Sequence, residues 1–217
     1  MKDASDLWLG ELLAARLCHD LVGPVGAIAN GVELLAEGGA RADPEVVTLI
    51  GDSARRASRR LQFFRVAFGT ASVATSGLRE ARKLAHGLVE GEDKLTLDWS
   101  EANDAAGDTA GRCGVKLSLL HVLLAADTLP RGGKIVVRTL ATPPGLRLSV
   151  VASGPQARLA DEVRAMLAGE GRPEDAAPKT VPALFAWRLA RSFGGQISTK
   201  TALQDSVEFL VELPAGA

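Results

Sequence analysis

Leu17-Cys18-His19-Asp20-Leu21-Val22-Gly23-Pro24-Val25-Gly26-Ala27-Ile28 is the stretch on which the reading of this chain turns. Through and beyond it, Leu17, Leu21, Val25, Ile28, Val32 and Leu35 recur at helical spacing and make an apolar stripe. Pro24 falls inside that helix. There it removes a backbone hydrogen bond and crowds the carbonyl four residues back, at a cost of about 3 kcal/mol. That carbonyl belongs to Asp20, so the distortion falls beside His19. A helix that only packs gains nothing from this arrangement. One that presents a nucleophile does.

At about 100° per residue, His19 lies opposite Leu17 and Leu21, on an outward face shared with Arg16, Gly23 and Ala27. An outward neutral imidazole has a lone pair with which to attack. Asp20 is placed to accept the proton of one ring nitrogen, which fixes the tautomer and leaves the other nitrogen free. Gly23 and Gly26 clear space beside the ring.

Gly38 and Gly39 end this helix, and Asp43-Pro44-Glu45 opens a second one, with Asp43 as N-cap and Pro44 in the first turn. Val46, Ile50, Ser53, Ala57, Leu61, Phe64 and Phe68 then form a near-heptad seam. The pattern predicts two helices of roughly 25 to 30 residues in an antiparallel hairpin. A hairpin cannot bury both stripes alone, so two chains are expected to pair as a four-helix bundle, a homodimer with Leu21, Ile28, Ile50, Leu61 and Phe64 in its core. Arg55, Arg56, Arg59, Arg60 and Arg65 put a basic band on the second helix. Below His19, the small-sided stretch Gly23, Gly26, Ala27 and Asn30 faces Arg56, Arg59 and Phe63. Together they predict a shallow groove with a basic, partly aromatic rim.

Residues 71–77 are small and polar and read as a linker between domains at 1–75 and 76–217. Beyond it, helices are expected at Leu78–Val89, Ala110–Leu129, Ala157–Ala168 and Val181–Phe193. Strands are expected at Leu95–Trp99, Ile135–Leu140, Leu146–Val151, Gln196–Lys200 and Val207–Leu213, with a turn at Thr142-Pro143-Pro144-Gly145. Strands paired mainly by hairpins with helices on one face make a two-layer α/β sandwich, and the whole chain is α+β.

With 217 residues, 47% of them hydrophobic, and a net charge of -1, the chain describes a folded protein with no electrostatic signature for nucleic acid or membrane. Cys18 and Cys113 lack metal-ligand spacing and read as reduced thiols. No apolar stretch approaches the roughly 18 residues needed to cross a bilayer, and no basic signal peptide opens the chain. A cytoplasmic location is expected.

These residues carry a family resemblance. The hairpin resembles the dimerisation and histidine-phosphotransfer domain of two-component sensor kinases, whose box reads His-Glu/Asp-Leu-x-x-Pro; His19, Asp20, Leu21 and Pro24 match it in register. The second domain looks like the kinase ATP-binding domain. Leu129-Pro-Arg-Gly-Gly-Lys-Ile-Val-Val137 is similar to that family's Thr-Pro-x-Gly-Gly-x-Ile segment, and Arg188 to Ile197 resembles its closing helix and Gly-Gly-x-Ile strand.

The departures narrow the reading. In register, the kinases' two magnesium- and phosphate-holding asparagines fall on Leu120 and Leu124, and their lysine on Asp127. The adenine-reading Asp-x-Gly-x-Gly falls on Val151 to Gln156, without aspartate, and the phosphate loop on Thr180 to Leu184, without glycine. Leucine and proline supply neither oxygen ligands nor a backbone cradle, so no intrinsic cofactor is expected. A histidine box joined to a degenerate ATP domain resembles the ChpT-type family of alphaproteobacterial histidine phosphotransferases. Gly23 stands where that family often has serine.

The resemblance implies that His19 takes a phosphoryl group from the receiver domain of a hybrid kinase and passes it to downstream response regulators. Asp20 orients the ring, Arg16 steers the acidic receiver or compensates charge, and magnesium comes with the receiver. The alternatives are a divergent ATP-dependent kinase core and a non-catalytic scaffold that binds regulators. His86 and His121 read as ordinary helix residues.

Overall fold

The computed structural model describes residues 2–37, 43–70, 77–90, 92, 94–100, 111–142, 145–203 and 205–216. The helix end at Gly38-Gly39, residues 71–76 of the expected linker at 71–77 and Pro143-Pro144 lie outside these residues, and Gly77 opens the next helix.

Helix α1 (Lys2–Glu37) runs unbroken through Pro24, and α2 (Pro44–Ala67) returns beside it. As expected, the Asp43 side chain caps α2 by accepting the Glu45 N–H at 2.9 Å, with Pro44 in the first turn. At 36 residues, α1 is longer than the stripe implies. The reason is tertiary: Trp8, Leu9 and Leu12, upstream of the stripe, pack against the core of the second domain.

The second domain comprises α3 (Gly77–Val89), β1 (Leu95–Asp98), α4 (Gly111–Asp127), β2 (Gly133–Thr142), β3 (Gly145–Ser153), α5 (Asp161–Ala168), α6 (Val181–Ser192), β4 (Gln196–Leu203) and β5 (Ser206–Pro214). One 3-10 turn at Pro173–Asp175 interrupts the loop before α6. The strands form one sheet in the order β1-β2-β3-β5-β4. β1 is parallel to β2 and the remaining pairs are antiparallel, with Ile135 opposite Ala152 and Val150 opposite Phe209. Alternate side chains on β3 (Leu146, Leu148, Val150, Ala152) and β5 (Val207, Phe209, Val211, Leu213) are buried, the period-two signature of a sheet covered on one face.

Helix α4 lies at the centre, buried at every residue from Cys113 to Ala125. A helix apolar all round needs cover all round. The sheet supplies one side, and α2, α3 and α6 supply the rest. Gly132 opens the turn into β2 with φ +85, and a Cβ there would meet the Lys94 carbonyl oxygen at 2.3 Å. The Gly-Gly pair is therefore required by backbone crowding.

Hairpin and sheet domain share one core. Phe63, Phe64, Val66 and Ala67 at the end of α2 join the cluster built on α3, α4 and the sheet. An aromatic chain from Phe64 through Phe68 to Phe185 ties α2 to α6, with ring centroids 6.0 and 5.5 Å apart. This corrects the expected place of Phe63. It has no exposed surface and lies in that core, not on the rim of a groove.

Elsewhere the hairpin stays open. Val22, Val25, Val32 and Leu34 on α1 and Val47, Leu49 and Leu61 on α2 are all markedly exposed. The expectation that no apolar stretch approaches membrane-spanning length does not hold for α1. Within Leu7–Glu37 an 18-residue window reaches a mean hydropathy of 1.3, long and apolar enough by length and composition alone. Arg16, His19 and Asp20 break the apolar run, and much of the remainder is the face that the hairpin leaves uncovered.

Candidate active site

His19 stands on α1 with its side chain 82% exposed, beside an Asp20 side chain only 9% exposed. His19 Nδ1 lies 3.2 Å from Asp20 Oδ1. A carboxylate only accepts, so Nδ1 carries the proton and donates it. The lone pair is left on Nε2 of an open ring.

Asp20 is held from three sides. Its Oδ2 accepts from Arg16 Nε at 2.8 Å, and its Oδ1 accepts from His19. Its backbone carbonyl loses its helix partner because Pro24 has no N–H; Arg60 Nη1, from α2, donates to that carbonyl at 3.2 Å instead. Pro24 therefore opens a position that the facing helix fills.

Around this point the hairpin and sheet domain meet through charge. Arg16 reaches Asp127, at the end of α4, at 3.0 Å. Arg60 and Arg56 both engage Glu92, the latter at 2.7 Å, and Arg59 lies 3.2 Å from Glu90. Arg16, Asp20, Arg56, Arg60, Glu92 and Asp127 are among the residues that line a cavity of about 390 Å³ at this junction. Burial pulls the Arg16 guanidinium down, but Asp127 and Asp20 more than offset it and hold it above the usual arginine range.

The structure relocates Arg16. It is 7% exposed and turned into the domain junction, not standing on the open face with His19. The helical period places it correctly relative to His19, but the period contains nothing about the domain that covers it. Gly23 and Asn30 are exposed, and Gly26 and Ala27 are half-buried. A Cβ added at Gly23 or Gly26 would meet nothing within 4 Å. Gly31 is the glycine that lets the helices close, because a Cβ there would stand 2.5 Å from Ile50 Cγ1. Sequence reasoning passed over Gly31, Asp127, Glu90 and Glu92. Only Asp127 left a signal, as an acid in register with a lysine.

The remaining candidates resolve simply. Leu120 and Leu124 are buried in α4, and Val181 to Leu184 form the first turn of α6, also buried. Cys18 is exposed; Cys113 is buried, which pushes its thiol up to about 12. His121 is enclosed in α4, where burial pulls its imidazole down to about 4 while Nδ1 donates to the Leu117 carbonyl at 2.7 Å.

The family model for the histidine phosphotransferase C-terminal domain matches residues 78–204. The protein phosphotransferase ChpT of Brucella abortus (strain 2308) is 35% identical over 205 residues, spanning 94% of this chain and 95% of the relative. The chain belongs to the histidine phosphotransferase family. Among solved structures, a bacterial phosphotransferase matches with a TM-score of 0.80 at 33% identity, covering 95% of this chain and 96% of its own. The histidine kinase AdeS of Acinetobacter baumannii matches at 12% identity with a TM-score of 0.50, over 92% of this chain and 98% of its own. That likeness concerns fold alone. The chain thus joins the sequence of a phosphotransferase family to a kinase-like fold.

Proposed function

We propose that this chain shuttles phosphoryl groups between receiver-domain aspartates through a phosphohistidine at His19. The observation that carries the reading is the exposed imidazole whose Nδ1 donates to a buried, doubly held carboxylate. In the forward step the Nε2 lone pair attacks the receiver's acyl phosphate in line. The N–P bond forms as the P–O bond breaks, and the aspartate leaves as a carboxylate with the electron pair. The proton stays on Nδ1, where Asp20 stabilises the resulting cationic ring. The reverse step loads the next receiver. Transfer needs positioning and no proton movement. The magnesium and lysine that neutralise phosphoryl charge come with the receiver.

The receiver docks along α1 below His19, over Gly23, Gly26, Ala27 and Asn30. The open space at both glycines supports this seat. The expected basic rim of this seat is reduced, because Arg56 and Arg59 are engaged by Glu92 and Glu90 of the sheet domain, with Arg59 lying against Gly87 on α3. The donor is the receiver of a hybrid kinase, and the acceptors are downstream response regulators. The exposed apolar residues on both hairpin helices support a homodimeric four-helix bundle. The chain acts in the cytoplasm, where receivers are found.

The sheet domain supports the hairpin and offers a docking surface; it does not feed ATP to His19. Buried leucines at 120 and 124 have no oxygen to offer a magnesium ion. Calorimetry with millimolar Mg-ATP is expected to give no saturable binding, whereas binding with autophosphorylation would favour a divergent kinase. The test of the main reading is transfer of radiolabel from a phosphorylated receiver. Wild type takes the label and His19→Ala does not. A His19→Ala protein that still passes label overturns the proposal, and receiver binding without label points to a scaffold.

A further inference from the structure

Asp20 accounts for the orientation of His19; the second oxygen of Asp20 is held by Arg16, and Arg16 is itself anchored from the other domain. Three contacts run in series. Asp127 at the end of α4 binds Arg16 Nη2 at 3.0 Å, Arg16 Nε binds Asp20 Oδ2 at 2.8 Å, and Asp20 Oδ1 accepts from His19 Nδ1 at 3.2 Å. Asp127 and Arg16 are 111 residues apart. Arg16 is suited to the link because its rigid fork presents separate N–H groups to two carboxylates at once, which a point charge does not. With Oδ2 occupied by Arg16, Asp20 has Oδ1 left to hold the imidazole.

We infer that Asp127 is a positioning residue for phosphotransfer, acting through Arg16 and Asp20 to keep the His19 proton on Nδ1 and the lone pair on Nε2. The inference rests on the phosphotransfer reading of His19 and extends it: the sheet domain shapes the nucleophile by a charge relay as well as by docking partners. The carboxylate at position 127 is thus tied to α1 through a single side chain. It needs an arginine on α1 to act through.

The test uses the full chain and two readouts. Nitrogen NMR of the His19 ring at neutral pH reports its tautomer, and single-turnover transfer from a phosphorylated receiver, titrated over receiver concentration, separates rate from docking. Asp127→Asn keeps the shape and removes the charge. The expected result is a several-fold rise in the Nε2–H tautomer and a maximal rate lower by about tenfold, with an unchanged half-saturating receiver concentration. Asp127→Glu is expected to restore both in part. Arg16→Lys keeps the charge but breaks the fork and is expected to shift the tautomer the same way, which covers the case in which Asp127→Asn does not fold. An unchanged tautomer in the folded variants overturns the inference, as does a loss confined to the half-saturating concentration. Transfer surviving in His19→Ala would sink the underlying reading, whatever the tautomer does.

Discussion

Arg60 donates from Nη1 to the backbone carbonyl of Asp20 at 3.2 Å, and that carbonyl is the one whose helix donor Pro24 removes. A helix-breaking residue and a cross-helix arginine thus act as a pair. Arg60→Ala is expected to cost about 1 to 3 kcal/mol in urea unfolding, because it strands the carbonyl and one side of Glu92. Pro24→Ala returns a helix donor to the carbonyl. In the double variant the arginine should matter less, with a coupling of about 1 kcal/mol. Strict additivity would show that the two residues are not linked.

The glycines of α1 separate a docking surface from helix packing. Gly26→Ala adds a methyl group in open space and improves helix propensity, so it should stabilise the protein by up to about 1 kcal/mol. Gly31→Ala should gain little or lose stability, because its methyl group meets Ile50. Ala27→Arg should abolish transfer from a receiver while leaving the fold and oligomeric state intact. Unchanged transfer would place the receiver elsewhere.

His121 sets an acid limit. Its folded value is lowered to about 4 by burial, while the unfolded chain takes a proton near the ordinary 6.5. Above 6.5 both states are neutral and the histidine exerts no penalty. As pH falls from 6.5 toward 4 the unfolded state is protonated first, so stability drops, by about 3 kcal/mol at the lower end, and the loss levels off below it. His121→Leu should flatten this part of a stability profile measured by urea unfolding between pH 7 and 4. An equally steep profile in the variant would assign the acid sensitivity to other groups.

Oligomeric state follows from the uncovered apolar face. Light scattering of wild type is expected at twice 22.6 kDa. Val32→Glu and Leu61→Glu place charges at positions that are each 53% exposed in the single chain. They should leave the protomer folded by circular dichroism yet reduce it to 22.6 kDa, because pairing would bury an unpaired charge. A wild type that is monomeric at micromolar concentration contradicts the four-helix bundle.

What the sequence disclosed was what is locally encoded. The stripe through Leu17 and Leu35, the Asp43-Pro44 cap and the alternation on β3 and β5 each report their own element, although α1 starts well upstream of its stripe. Pro24 beside a His-Asp pair was legible as an anomaly for the same reason. Arg16 and Phe63 were misplaced because what covers them lies far along the chain. Nothing near Arg16 announces Asp127, and nothing near Phe63 announces that α3 and α4 close over a second side of α2. Phe63 neighbours the seam residue Phe64, and a single helical period allows only one of two adjacent residues to face a core. Tertiary packing buried both.

His19 is the residue proposed to carry phosphate. Wild-type protein incubated with a phosphorylated receiver and analysed by intact and tandem mass spectrometry at alkaline pH tests this directly. One added phosphoryl group per chain is expected, lost on mild acid treatment and mapped to His19. A stable adduct on any other residue, or no adduct while the receiver is dephosphorylated, would contradict it.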